Sequence, residues 1–349
     1  MPIDTLKVSA FRCFKEADFQ FTPGINILAG VNGVGKTSVL EAVHFLSTGK
    51  SFRTHQAKHL IKSDEIAFSV FASITQKDAR YQIGSQLTKS FKKTLKLNQT
   101  KIKKQTELAT LLPVLSIDPS SYLFCDNSPQ FRRTFLDWMV FHVKHNYIIT
   151  WSQVLRCQKH INQLLKTKQV HELPVWISQY ISLSQILNNE RLKVFEHFKV
   201  AFSDLLELLA PNLGPCEVIY YSGWSPDSSL ETVMSNDWDK NLQYGQLRHG
   251  IHKMDLLIKS NGVHVKTIFS RGQKKILALI CYLSCLKVMD AHSEHKSVFC
   301  LDDFDAELDS NNASYFYEYL NSLPNQILIS TVEASRYKDK EAEVFHVKH

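Results

Sequence analysis

Residues Gly30, Val31, Asn32, Gly33, Val34, Gly35, Lys36 and Thr37 read G-x-x-x-x-G-K-[ST], the spacing of a loop that cradles a polyphosphate. The glycines let backbone N–H groups converge on anionic oxygens with no Cβ in the way. Lys36 would reach the β- and γ-phosphates, and Thr37 would coordinate Mg2+. Ahead of the loop, the apolar run Ile25–Ala29 reads as a strand. Behind it, Val39, Leu40, Val43 and Leu46 recur at helical spacing. The loop therefore opens a helix, whose dipole favours negative charge at that end.

Two further pieces complete the chemistry. Residues 297–303, Ser-Val-Phe-Cys-Leu-Asp-Asp, form an apolar strand ending in two carboxylates. In a nucleotide site, Asp302 would hold Mg2+ through water and Asp303 would orient or activate the attacking water. Buried strands with acidic ends are common, so the phosphate loop upstream is what gives this one a role. The run Phe269-Ser270-Arg271-Gly272-Gln273 precedes an apolar helical stretch, residues 276–286. Ser270 sits at an N-cap position, and Gly272 allows close approach of a phosphate to the helix N-terminus. With Gln273 this makes a second anion site, about 235 residues after the first. One ATP needs both sites if two copies of the chain meet across the nucleotide.

The elements that must position these residues follow from patterning. Leu6, Val8, Phe19 and Phe21 alternate with polar residues, as do residues 67–74 and 81–87, so the first part of the chain reads as strands. Ser128-Pro129 opens a mainly helical stretch that runs to about residue 210, with its longest helix over 174–210. Strands return at 217–221. Residues 255–269 read as a hairpin about Asn261-Gly262. The last hundred residues alternate helix and strand. Residues 1–120 and 245–349 are thus expected to build one head, with 121–244 an inserted, mainly helical lobe. The hexapeptide Val-Phe-His-Val-Lys-His occurs at 140–145 and at 344–349, in contexts too different to mark a repeat.

Composition sets the class. The chain has 349 residues, 44% hydrophobic and 21% charged, which fits a soluble globular protein of one or two domains. No apolar run approaches the ~20 residues of a membrane span, and the N-terminus has no signal-like apolar core. Seven scattered cysteines without a C-x-x-C suit a reduced, cytoplasmic protein. The 15 histidines form no H-E-x-x-H set. Net charge is +7, compatible with a polyanionic partner. Between residues 79 and 106 stand eight basic residues and no acid. Their core alternates around Asn98-Gln99 as a hairpin with a basic face. It suits phosphate contact and equally a solvated edge hairpin that lysines keep from aggregating.

A phosphate loop, a Ser-x-Gly helix start and paired acids together resemble the ABC-type ATPases. In detail the chain resembles the RecF family of recombination mediators, related to SMC and Rad50 heads, and the resemblance covers essentially its whole length. It is carried by Leu6-Lys7-Val8-Ser9-Ala10-Phe11-Arg12-Cys13-Phe14, by Gly49-Lys50-Ser51-Phe52-Arg53, by residues 128–137 (SPQFRRTFLD) and by residues 303–309 (DFDAELD). Gly250-Ile251-His252-Lys253-Met254-Asp255 is a weakened form of a family Gly-Pro-His-Arg-Asp-Asp. Ser120 stands where the family usually has Glu, and Asn127 opens a family Gly-x-Pro.

The resemblance implies an α/β fold: an ABC-type, Rad50-like ATPase head with mixed sheet and an inserted helical lobe. It implies a weak, Mg-dependent, DNA-stimulated ATPase that acts as a switch. ATP would close a homodimer on double-stranded and gapped DNA in repair of single-strand gaps and stalled forks, with RecO, RecR and RecA as partners and no membrane. Glu307 and Asp309 would face the other subunit. Arg53 would sense the γ-phosphate or DNA. Arg132 and Arg133 read either as functional or as core ion-pair residues. Ser330-Thr331 follows the strand where many ABC ATPases carry a His, so slow turnover is expected. The alternative is the ATPase subunit of a membrane transporter. That subunit usually places the signature about a hundred residues after the loop and carries the His. A chromosome-organising head would need a far longer heptad insertion, and a kinase or GTPase would leave Ser270 without a purpose.

Overall fold

In a computed structural model, residues 3–76, 78–304, 308–333 and 342–347 are described. The chain runs β1 (Ile3–Phe11), β2 (Phe14–Gln20), β3 (Ile25–Ala29), α1 (Lys36–Thr48), β4 (Ala67–Gln76), β5 (Ala79–Thr88), β6 (Lys93–Leu97), β7 (Thr100–Ile102), α2 (Gln105–Leu111) and β8 (Val114–Ile117). Next come α3 (Pro129–Val143), α4 (Tyr147–Thr167), α5 (Leu173–Leu209), β9 (Cys216–Tyr221), α6 (Leu230–Asn236), α7 (Trp238–Tyr244), β10 (Asp255–Ser260), β11 (Val263–His264), α8 (Val265–Ile268) and α9 (Arg271–His292). The last are β12 (Val298–Leu301), α10 (Ser310–Asn321), β13 (Gln326–Thr331) and β14 (Glu343–His346).

Two compact units result. The first holds the described residues up to Tyr122 and from Met289 on; the second is Leu123–Val288. The expected lobe, 121–244, is therefore extended: residues 245–288 pack with the middle of the chain rather than with its ends. Pairing explains this, because β10 forms a six-residue antiparallel ladder with β9 and α3 packs on β10.

The first unit has an antiparallel sheet of order β2-β1-β4-β5-β6-β7 and a parallel sheet of order β14-β3-β13-β12-β8. In β4, Phe68, Val70, Ala72 and Ile74 alternate into the core, while β3 and β12 are buried on both faces, the pattern of half-covered and fully covered strands. Helix α1 is apolar nearly all round. Its Val39, Leu40, Val43, Phe45 and Leu46 join side chains of both sheets in one core.

In the second unit, α5 sets Leu187, Val194, Phe198, Phe202, Leu205 and Leu209 inward at helical spacing and packs on α3 and α4. Arg132 and Arg133 both bond within this unit. Arg132 makes a buried two-pronged pair with Asp255 at 2.7 and 2.9 Å, and Arg133 donates to the Met254 carbonyl at 2.7 Å.

Both turn dipeptides form tight hairpin turns with two consecutive positive φ angles: Asn98 and Gln99 at 47° and 67°, Asn261 and Gly262 at 49° and 79°. The second hairpin is shorter than its pattern suggests. β11 has two residues, and 265–268 coil into a helical turn in which the Thr267 hydroxyl donates to the His264 carbonyl. Of the repeated hexapeptide, residues 140–143 are helical in α3 and residues 344–346 extended in β14.

His44, on α1, is half-buried, and desolvation pushes its pKa down to about 4; its Nδ1 lies 2.9 Å from the Ser116 hydroxyl. The unfolded chain takes up this proton near pH 6.5, the folded chain only near 4. Stability is thus full above pH 6.5 and falls as pH drops toward 4, by on the order of 2 kcal/mol at pH 5 from this group alone. Urea unfolding at pH 7.5 and 5 should show the loss, and His44→Gln should remove its share, leaving those of His142 and His252, whose pKa values burial lowers to about 3 and about 4.

Candidate nucleotide site

The strands fix where the site lies. In the parallel sheet Thr331 pairs with Ala29 and Ile329 with both Ile27 and Leu301. The carboxyl ends of β3, β13 and β12 are therefore level, and ligands of open α/β sheets bind beyond such ends. The phosphate loop begins one residue past β3, and Asp302 one residue past β12.

Gly35 precedes α1 with φ at +109°, and a Cβ there would come within 2.5 Å of the Phe14 ring and 2.8 Å of Cys13 Sγ. Both the turn and the packing demand glycine. At Gly33 a Cβ would meet nothing within 4 Å, so the cradle is open on that side. Lys36 is 5% exposed, and its Nζ donates to the carbonyls of Gly30 and Val31 at 2.8 and 3.1 Å. The ammonium is thus held against the loop that it serves. No acid occupies the first turn of α1, which leaves the helix dipole uncompensated for an anion.

The acids are organised by hydroxyls. Asp302 Oδ1 accepts from Thr37 Oγ1 at 2.8 Å and from Ser330 Oγ at 2.7 Å. Ser330 Oγ in turn accepts from the Asp303 N–H at 2.8 Å. Burial raises the Asp302 pKa above the ordinary carboxylate value, while the two hydroxyls and the charge of Arg53 oppose that rise. The Thr37 hydroxyl beside the Asp302 carboxylate gives adjacent hard oxygen donors, a set that suits Mg2+.

Asp303 has φ at 51°, a conformation that non-glycine residues adopt sparingly and that collects at functional sites. It lines a cavity of about 480 Å³ together with Asn32, Gly33, Lys36, Thr37 and Arg53, within the size range of small-molecule sites. Phosphate loop, Asp303 and Arg53 therefore share one cavity in the first unit, and Asp302 stands behind it, bonded to the Thr37 that lines it.

Four side chains that were given no role from sequence stand at or behind this wall: Arg12, which lines the cavity, and Glu41, Ser51 and Ser330. Arg12 clamps the buried Glu41 of α1 with two 2.6 Å bonds and donates to the His59 carbonyl. Glu41 also accepts from the Ser51 hydroxyl, which accepts from the Arg53 N–H at 2.9 Å. Arg12 thereby reaches Arg53 through two side chains. Ser330 holds both acids. Its signal was the parallel register, which sets 302 beside 330.

Ser270, Gly272 and Gln273 belong to the other unit. Ser270 N–H donates to Gln273 Oε1 at 2.9 Å and Gln273 N–H to Ser270 Oγ at 3.3 Å, a reciprocal cap on the 22-residue helix α9. Ser270 and Gly272 are exposed, and a Cβ at Gly272 would meet nothing within 4 Å. Ser120 bonds back to Asp118. Asp309 caps α10 through the Asn312 N–H. Glu307 lies outside the described residues.

The sequence matches the RecF/RecN/SMC N terminal domain over residues 2–349. It is 32% identical over 354 residues to the DNA replication and repair protein RecF of Psychromonas ingrahamii, covering 100% of this chain and 98% of that one. The chain belongs to the RecF family. Acinetobacter baylyi RecF is 35% identical over 337 residues, covering 95% and 92%. A solved structure of the recombination mediator protein RecF with ATP, in the RecFOR pathway, superposes with a TM-score of 0.86 at 26% identity over 95% of this chain and 92% of that one. An Smc head bound to the ScpA C-terminal winged-helix domain superposes at 0.58 with 16% identity, over 96% of this chain and 90% of that one, a likeness of fold. The fold is that of an ABC-type ATPase head, α/β with mixed sheets, as the motifs implied. Among the described residues no helix is long and apolar enough to cross a membrane.

Proposed function

We propose that the chain is a DNA-binding ATPase of replication and recombinational repair that closes as a dimer on Mg·ATP and reopens on slow hydrolysis. The observation that carries this reading is the division of labour: one unit holds the phosphate loop, Lys36, Thr37, Asp302 and Asp303, while Ser270 and Gly272 stand on an exposed, capped helix end in the other. That end presents free backbone N–H groups to a partner's γ-phosphate. Mg2+ would be held by Thr37 and Asp302, where it would neutralise the charge that develops on the β- and γ-phosphates. Lys36 would bind the phosphates, and Asp303 would take or orient the proton of the attacking water. The ATP-bound RecF structure supports nucleotide binding, and the names of the relatives support a role in DNA repair. RecO- and RecR-type mediators and RecA would act with it in the cytoplasm at gapped DNA.

Complementation tests the shared site. Lys36→Ala and Ser270→Arg proteins should each be inactive alone. Mixed, they form heterodimers with one intact loop-plus-signature pair, and DNA-dependent ATPase should return to a sizeable fraction of wild type. If mixing restores nothing, loop and signature do not meet across a dimer.

A further inference from the structure

We propose that the solvent face of the antiparallel sheet, at its β5-β6-β7 end, is a docking surface for the sugar-phosphate backbone of duplex DNA. This rests on the DNA-binding reading above and names the surface that serves it. Strand register assigns the face. Lys96 lies directly opposite Lys101 on β7 and Gly84 on β5, and cross-strand partners share a face. Gln82 and Gln86, two residues either side of Gly84, lie on it too, and both are exposed. The opposite face carries the buried Ile83, Leu87 and Leu95.

Charge then favours a polyanion. Lys96, Lys101 and Lys103 are exposed, and none pairs with a carboxylate among the described residues. Directly opposed like charges destabilise a strand pair, so Lys96 and Lys101 work against the hairpin unless an anion lies over them. Edge protection alone needs a lysine on the edge strand β7, not one on β6 beside it. Acids on this face sit on β1 and β2, away from β5-β6-β7: Asp4, which accepts from Thr75, and Glu16 and Asp18, the last paired with Lys7. The flanking glutamines and the side-chain-free Gly84 leave room for a phosphate backbone to lie close.

Lys93 does not belong to this surface. Its ammonium lies 5.3 Å over the Phe45 ring, 3.4 Å from the carbonyl of Gly49 at the end of α1, and partial burial with Lys50 nearby pushes its pKa down to about 8. It packs the hairpin onto the helix that carries the phosphate loop.

The test is anisotropy of a labelled duplex titrated with full-length protein and Mg·ATP across a salt series. Lys96→Gln/Lys101→Gln/Lys103→Gln should weaken binding at least about tenfold near 0.1 M salt and lower the salt slope by about 3. A matched control removes three exposed lysines of the helical unit, Lys159, Lys193 and Lys199, and should stay within about twofold. The sheet variant should melt no lower than wild type, because a repulsion is relieved. An equal fall in both variants, or an unchanged slope in the first, overturns the surface while wild-type DNA binding still stands. Aggregation of the sheet variant with an unchanged slope returns the lysines to edge protection and overturns it too. Wild type that binds no duplex in any salt removes the DNA-binding reading itself.

Discussion

Asp303→Asn is expected to lower ATP turnover by about 10²-fold or more while nucleotide affinity stays close to wild type, so that closed dimers accumulate on ATP. The substitution is conservative in every respect but the one tested. Asn is among the few residues that tolerate positive φ, so the 51° backbone at this position should persist. The bond from the residue 303 N–H to Ser330 does not involve the side chain. Asp302, Thr37 and Lys36 are untouched, and these are the groups proposed to hold Mg2+ and the phosphates. Only the capacity to accept a proton from, or orient, the attacking water is removed. Steady-state phosphate release, together with sedimentation in ATP, reads both halves of the prediction. A rate that does not change would mean that another group handles the water. A rate that falls with no closed dimer would separate hydrolysis from reopening. Asp302→Asn should behave differently: it weakens the acceptor that Thr37 and Ser330 share, so metal dependence should shift before the rate is lost.

Much of this site was legible because its chemistry is local in sequence. A phosphate loop needs its glycines, lysine and threonine within eight consecutive positions, and the strand and helix flanking it announce themselves by periodicity. The paired acids were legible for the same reason. Arg12 and Ser330 were not, since their roles depend on what lies beside them after folding. Arg12 is 29 residues from Glu41, and Ser330 is 28 residues from Asp302. The reading of 326–331 stressed the missing His, and the serine itself turned out to be the tie between the acids. Elsewhere tertiary context overrode local pattern. The same residues Val-Phe-His are helical at 140–142 in α3 and extended at 344–346, where they pair beside β3. Residues 245–288 looked like part of the nucleotide-binding head because the last hundred residues alternate helix and strand. Pairing of β10 with β9, a non-local contact, places them with the helical unit instead.

The largest expected loss of stability lies in the second unit. Arg191 of α5 is 2% exposed. Its guanidinium donates to Asp137 of α3 at 2.9 Å, to the Tyr147 hydroxyl of α4 at 3.0 Å and to the Ile251 carbonyl at 3.1 Å. Asp137 accepts as well from Tyr147 at 2.5 Å and from the Trp151 indole at 3.0 Å. Three helices and the 250–255 loop are thus tied through one buried charge pair. Removing Asp137 leaves the buried Arg191 charge without its counter-ion, which costs about 3–5 kcal/mol; removing Arg191 costs less, because Asp137 is half-buried and keeps Tyr147 and Trp151. Arg191→Ala and Asp137→Ala should each shift the urea midpoint accordingly, by circular dichroism of the full chain. Removing both charges with bulk retained, as Asp137→Leu/Arg191→Met, should cost less than the two single changes added, because no unpaired charge remains. Strict additivity in that cycle would show that the singles act through lost packing rather than through the ion pair. The same variants bear on function. Ser270 and Gly272 are carried by this unit, whereas the phosphate loop is not. Arg191→Ala should therefore impair ATP-driven closure at temperatures where a fluorescent ATP analogue still binds normally, and parallel loss of both would mean that the two units do not unfold independently.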